Sequence, residues 1–339
     1  MTRRSKKIEP AAMTLTFATL SSTAGVTRKS FIDLSQVASL ANRRFYRQGL
    51  NWAVGGFKVS SLKAGTVTIG KLPNTWVMSN AWEKSFRSWQ AMNDKALEDT
   101  ESVRPRFMDF KIYANSDHHT AGFANNLRPI SFAGVAAAAG EWESSKISIP
   151  TSGATGNATD FELVAVGASY PGASAATTLD AVSCIEGYAA SRGLPYAKDP
   201  NVPDDAEDVG PTGTPENWMG ALTNEGIDQD KDVLDRMIGA DAENNQAPYP
   251  YENDGTALDT QYPNGANQMS GLEYHDLVNI FETNVTDGIG IQRLKGGMFP
   301  CGLIALHWTP SNASANLVIQ IELVPGHHRG YLCEPMTEM

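Results

Sequence analysis

Five consecutive residues offer the most direct chemistry in this sequence: Arg43, Arg44, Phe45, Tyr46 and Arg47. Guanidinium groups neutralise phosphates and aromatic rings stack on unpaired bases. Three Arg interleaved with two rings therefore form the pattern of a single-stranded nucleic-acid contact. The alternative is a solvated helix end beside two core rings. Arg3, Arg4, Lys6, Lys7, Arg28 and Lys29 tip the reading, because they stand in the same first 50 residues and face only two acids, Glu9 and Asp33. That stretch carries +7, and the other 289 residues carry −18 of a total of −11. Residues 191–260 alone hold four bases and sixteen acids. So uneven a split gives the two parts of the sequence different electrostatic partners.

Other chemistry-bearing spacings resolve into bland readings. Gly65 to Leu72 has P-loop spacing, but Leu72 stands where a Ser or Thr must follow Lys71, and the run is β-branched, which suits a strand. Asp228, Asp230 and Asp232 invite a calcium site, yet Val233 and Gly239 occupy the positions an EF-hand gives to Gly and Glu. Acids at the start of a helix answer its dipole, which is the better account of them. The pairs His118-His119 and His327-His328 lack a spaced metal-ligand partner. Cys184, Cys301 and Cys333 are odd in number and read as buried free thiols. Sequons at Asn157, Asn284 and Asn312 carry no meaning without a signal peptide, and none is visible. No cofactor or metal is expected. There is no Gly-x-Ser-x-Gly elbow, so the chain does not read as an enzyme, although a triad dispersed through the sequence stays open.

These residues need elements to hold them. Leu34, Val37, Leu40 and Ala41 recur at helical spacing after Ser30-x-x-Asp33, which predicts a helix over 31–43 ending at Arg43 and Arg44. Trp52 and Val54 share one strand face, Phe57 and Val59 the shifted one, so Gly55-Gly56 predicts a β-bulge within 46–60. Further strands are expected at 66–72, 108–113, 143–149, 160–167, 289–294, 298–308 and 316–324. Helices are expected at 76–97, with Trp82, Phe86, Trp89 and Met92 on one face, and at 178–192, 229–238 and 271–282, the last after a Ser270-x-x-Glu273 capping box. About eight strands, interrupted by helices, predict a mainly β fold: a single eight-stranded jelly roll of two four-stranded antiparallel sheets, with helical and long-loop insertions. No apolar run is long enough to span a membrane.

Two stretches carry a family likeness: FIDLSQVASLANRRFYRQG at 31–49 and KLPNTWVMSNAWEKSFRSWQAMN at 71–93. They resemble segments of capsid proteins from circular, Rep-encoding single-stranded DNA (CRESS-DNA) viruses. The resemblance covers about 40 residues, together with the plan of a basic N-terminus before a β-rich body. It implies self-assembly into an icosahedral shell of 60 copies around single-stranded circular DNA, a virion location with a stage in the host nucleus, and an unidentified host receptor. Arg3, Arg4, Lys6, Lys7, Arg28, Lys29, Arg43, Arg44, Phe45, Tyr46 and Arg47 would then meet the packaged strand. The implied layout is a basic arm over 1–30, a jelly-roll domain over 31–326 with insertions at 74–100 and 168–285, and a tail over 327–339. Met1 to Lys7 is shorter and more interrupted than the long Arg-rich arms of such families, which leaves nuclear import open. An RNA-virus capsid, and a β-sandwich enzyme or carbohydrate-binding module, are the competing readings.

Overall fold

Alternation of apolar and polar residues at period two dominates the ladders of this chain, and a computed structural model describes residues 10–18, 21–98, 109–130, 134–150, 158–192, 218–223, 271–282, 289–311 and 314–339. In chain order these residues form β1 (Thr14–Ala18), β2 (Arg28–Asp33), α1 (Leu34–Asn42), β3 (Leu50–Ser61), β4 (Gly65–Lys71), α2 (Trp76–Ala96) and α3 (Ser116–Ala121). Next come β5 (Lys146–Pro150), β6 (Ala158–Val164), β7 (Ala181–Ser183), α4 (Cys184–Arg192) and α5 (Trp218–Thr223). The C-terminal part holds β8 (Glu273–Ile280), β9 (Gly290–Phe299), β10 (Leu303–Pro310), β11 (Leu317–Leu323), β12 (Pro325–Gly326), β13 (Gly330–Tyr331) and β14 (Cys333–Pro335). The fold is mainly β. It divides into two compact units, one of Met1–Asn74, Ala121–Glu143 and Glu273–Met339, the other of Thr75–Thr120 and Ser144–Leu272.

The first unit contains two antiparallel sheets. One runs β1-β11-β3-β9, with β14 added at the start of β3, and the other runs β2-β10-β4-β8. Phe17, Trp52, Phe57, Val59 and Ile319 from the first sheet join Ile32, Val67, Ile69, Ile304 and Trp308 from the second in one buried cluster. Each such side chain contributes ~1.5–3 kcal/mol on burial. The expected bulge lies at Gly55, because Glu322 pairs with Gly56 while Leu323 pairs with Val54. Gly296 must stay glycine there, since a Cβ would stand 2.2 Å from the Val54 carbonyl oxygen. β1 and β2 end their respective sheets. Residues 127–130 cap both edges: the Leu127 N–H donates to Phe31 O, the Ile130 N–H to Thr16 O, and Phe17 bridges Pro129. An edge so covered cannot recruit a stray strand.

The second unit holds the three-stranded sheet β5-β6-β7, in which β6 and β7 run parallel. Its main helix, α2, follows the predicted aromatic stripe. Trp82 and Phe86 stack at 5.2 Å, Phe86 and Trp89 at 6.2 Å, and all three meet Phe110 within 5.9 Å.

Several expectations are corrected. Residues 271–282 are not a helix: β8 occupies them, because Val278 and Ile280 pair along β4 and Glu273 meets Lys71 across the ladder at 3.7 Å. The segment 109–113 forms only a single parallel bridge, Tyr113 to Val164, instead of a laddered strand. It is buried on both faces, with Lys111 paired to Asp109 and its backbone bonded to Ser145. Helix 178–192 begins only at Cys184, after strand β7, and helix 31–43 only at Leu34, with Asp33 rather than Ser30 as its cap. Residues 14–18 and 28–30, assigned to the arm, are strand residues, since Leu15 and Phe17 alternate into the core. The tail assignment of 327–339 fails likewise, because Tyr331 is buried in that core. The second unit takes 75–120 where an insertion over 74–100 was expected, and 144–272 where 168–285 was expected: it begins earlier, at Ser144, and stops before β8, which belongs to the first unit's sheet. The 229–238 helix and Asp228, Asp230 and Asp232 lie outside the described residues, as do the three sequons and Arg3, Arg4, Lys6 and Lys7.

Candidate nucleic-acid interface

Asp33 organises the Arg-rich loop from beneath. It has extended backbone angles, as an N-cap requires, and its Oδ1 accepts the Ser35 and Gln36 N–H groups at 2.9 and 3.3 Å. Its Oδ2 accepts Gln48 Nε2 at 3.1 Å and Trp142 Nε1 at 2.9 Å. Burial pushes this carboxyl up to about 6, against the pull of the Trp142, Gln48 and backbone hydrogen bonds. One helical turn apart, Ser35 and Ser39 then wind the loop back onto α1. Ser35 Oγ donates to Arg47 O at 3.0 Å, and the Tyr46 N–H donates to Ser39 Oγ at 2.9 Å.

The consequence is a loop with its cations outside and its backbone fixed. Arg43, Arg44 and Arg47 are exposed. Arg43 ends α1 with a φ of 53°, a left-handed position that a non-glycine residue occupies at some strain. Arg43 and Arg44 also follow the helix C-terminus, whose partial negative charge favours cations.

The two rings of the motif part company. Tyr46 is fully buried, 6.0 Å from Trp52 and 5.5 Å from Tyr331, with its hydroxyl donating to Arg329 O at 3.0 Å. No ring face remains for a base, so the stacking role read for Tyr46 is withdrawn. Its amphipathic ring is core, anchored by one hydroxyl. Phe45 is half-buried, tilted against Trp142 at 6.4 Å.

A fourth Arg was missed by sequence reasoning. Arg329 is exposed, and its Nη1 donates to Phe45 O across 284 positions of sequence. Beside it, burial and then the Arg329 charge hold the His328 imidazole below its usual range. The N-terminal arm also reaches this place. The Ala12 N–H donates to Asn42 Oδ1 at 3.0 Å, and Asn42 directly precedes Arg43. Asn42 Nδ2 donates to Tyr331 Oη at 2.7 Å, and Tyr331 Oη donates to Ala12 O at 2.8 Å. Lys7 thus lies five positions before an anchored residue at the loop. Arg28 and Lys29 do not join through the backbone of α1. They sit exposed at the far end of β2, about 16 Å of strand from Asp33, opposite Trp308 and His307.

No family model matches this chain, and neither a curated protein nor a solved structure does. The site therefore rests on its own geometry.

The second unit holds a contrasting cluster. Glu162 on β6 is fully buried. Its Oε1 accepts Ser144 Oγ, and its Oε2 accepts Thr177 Oγ1 at 3.0 Å and lies 2.9 Å from His119 Nε2. Burial raises the carboxyl, but the hydrogen bonds from His119, Ser144 and Thr177 outweigh it, and the pKa falls below the usual value. His119 lies on short helix α3, and among the described residues its Nδ1 has no hydrogen-bond partner. A triad needs its hydroxyl on the imidazole. Here both hydroxyls sit on the carboxylate, which suits locking α3 and two loops onto β6. Two of the three thiols, Cys184 and Cys301, are buried as expected, and Cys333 is half-buried.

Proposed function

We propose that this chain is a viral capsid protein that assembles into an icosahedral shell around single-stranded circular DNA. The observation that carries the reading is strand order. Numbered among themselves, the eight long strands of the first unit pair as 1-8-3-6 and 2-7-4-5, all antiparallel. This is the order expected of the jelly-roll plan, the double Greek key common in viral coats, and it supports that reading. The anchored Arg loop supports the cargo half of the proposal. Arg43, Arg44, Arg47 and Arg329 project from a fixed backbone beside Ala12, which is anchored to Asn42. Phosphate contacts of this kind need no sequence readout, and many copies multiply weak ones. The rings contribute little, since only Phe45 keeps any exposure.

The test is the cargo of particles purified from expressing cells. Nucleic acid that resists nuclease in intact particles, and yields to DNase but not RNase after disruption, supports the DNA reading. RNA in the same particles makes the chain an RNA-virus coat. Particles empty of nucleic acid contradict packaging.

A further inference from the structure

The outer face of sheet β1-β11-β3-β9 carries three cations that its own fold answers only in part. Along β9, Leu294 is buried, so its neighbours Arg293 and Lys295 point the other way, and both are exposed. Along β3, Phe57 and Val59 point into the core and Lys58 between them points out. The register sets Lys58 directly opposite Arg293, with Lys295 opposite Gly56. Like charges facing each other across antiparallel strands destabilise a sheet. Among the described residues, none of the three forms an ion pair. On its other side Lys58 faces Gln320, which is neutral. The acids nearby are Glu322, in register with Gly56, and Asp276, whose Oδ2 is already engaged by the Lys295 N–H at 2.9 Å. An unfavourable pair on an exposed face, in a chain of net charge −11, leaves a local positive patch open to an anionic partner.

We infer that this face is a second contact surface for the phosphate backbone of single-stranded nucleic acid, made by Lys58, Arg293 and Lys295. The inference rests on the cargo reading above and adds a site to it. The three cations are spread over an open sheet, with Arg293 and Lys295 about 7 Å apart along one strand, so they suit an extended polyanion better than a single small anion. Ile291 at 53% and Val318 at 40% exposure lie beside them and offer apolar surface to sugars and bases. No aromatic side chain stands among them, so the contact is independent of base sequence.

The experiment measures anisotropy of a labelled oligothymidylate bound to the full chain across a salt series. The triple variant Lys58→Gln, Arg293→Gln, Lys295→Gln is compared with a loop variant, Arg43→Gln, Arg44→Gln, Arg47→Gln. Each single-strand phosphate contact adds roughly 0.7 to the slope of log affinity against log salt. The sheet-face variant is expected to lose about 2 from that slope while its melting temperature holds or rises, because the Lys58–Arg293 repulsion is gone. A misfolded variant would lose both together. The charge-keeping set Lys58→Arg, Arg293→Lys, Lys295→Arg is expected to retain the wild-type slope. If the sheet-face variant keeps the full slope while the loop variant loses it, this inference falls and the cargo reading stands. If the wild-type chain binds no oligothymidylate at low salt, both fall. If the sheet-face variant binds normally but no longer self-associates, the face answers to an acidic surface of a second copy, and the inference is again overturned.

Discussion

Asp33 in the first unit and Glu162 in the second are both fully buried carboxylates held by side-chain hydrogen bonds, yet they titrate in opposite directions. Asp33 is met by four neutral donors, from Ser35, Gln36, Gln48 and Trp142, and desolvation wins. Glu162 is met by two hydroxyls and an imidazole, and the partners win. Burial alone therefore does not set the charge state, and the nature of the third or fourth partner decides it. The difference matches position. The Glu162 cluster ties one helix and two loops onto a sheet. Asp33 supports a surface loop whose outward side carries the cations.

The sharpest way to break the comparison is to delete its tighter member. Glu162→Ala leaves His119 buried opposite a void and is expected to cost ~3–5 kcal/mol in urea unfolding. A loss within ordinary surface values would mean the cluster is loosely held. Next comes pH. Asp33 has its folded pKa raised from 3.8 to about 6, so its contribution is full below 3.8 and disappears as pH rises through about 6. That amounts to about 3 kcal/mol, and Asp33→Asn is expected to erase this slope from the stability profile. Glu162 has a lowered pKa, so its contribution is present above the usual carboxyl range and is lost as pH falls through the folded value. Glu162→Gln should therefore change only the acid limb. If both variants altered the same limb, the contrast would be wrong. A smaller effect is expected from Tyr46→Phe, which removes one hydrogen bond to Arg329 and should cost ~1 kcal/mol. Its phosphate binding should stay unchanged, because Tyr46 offers no ring face. Arg43→Gly relieves the left-handed strain and is expected to stabilise by ~1 kcal/mol while weakening oligonucleotide binding.

How much of this was legible in the sequence differs between the same regions. The aromatic stripe of α2 and the phase shift at Gly55 were readable because each is a local periodicity that the packing respected. β8 was misread because Ser270-x-x-Glu273 imitates a helix start, and only pairing with β4, some 200 residues away, overrides it. The Arg loop was visible as composition. The burial of Tyr46 and the recruitment of Arg329 were not, since both depend on a C-terminal turn folding back onto α1. The sheet-face cations escaped notice for the same reason: Lys58 and Arg293 meet only through register.

The central claim, assembly around a nucleic-acid cargo, is tested most directly by sedimentation and negative-stain microscopy of the purified full chain across a salt series. A closed, uniform shell many times the 36.5 kDa of one chain, weakened by salt, is the expected result. A 36.5 kDa monomer at every salt concentration would contradict it.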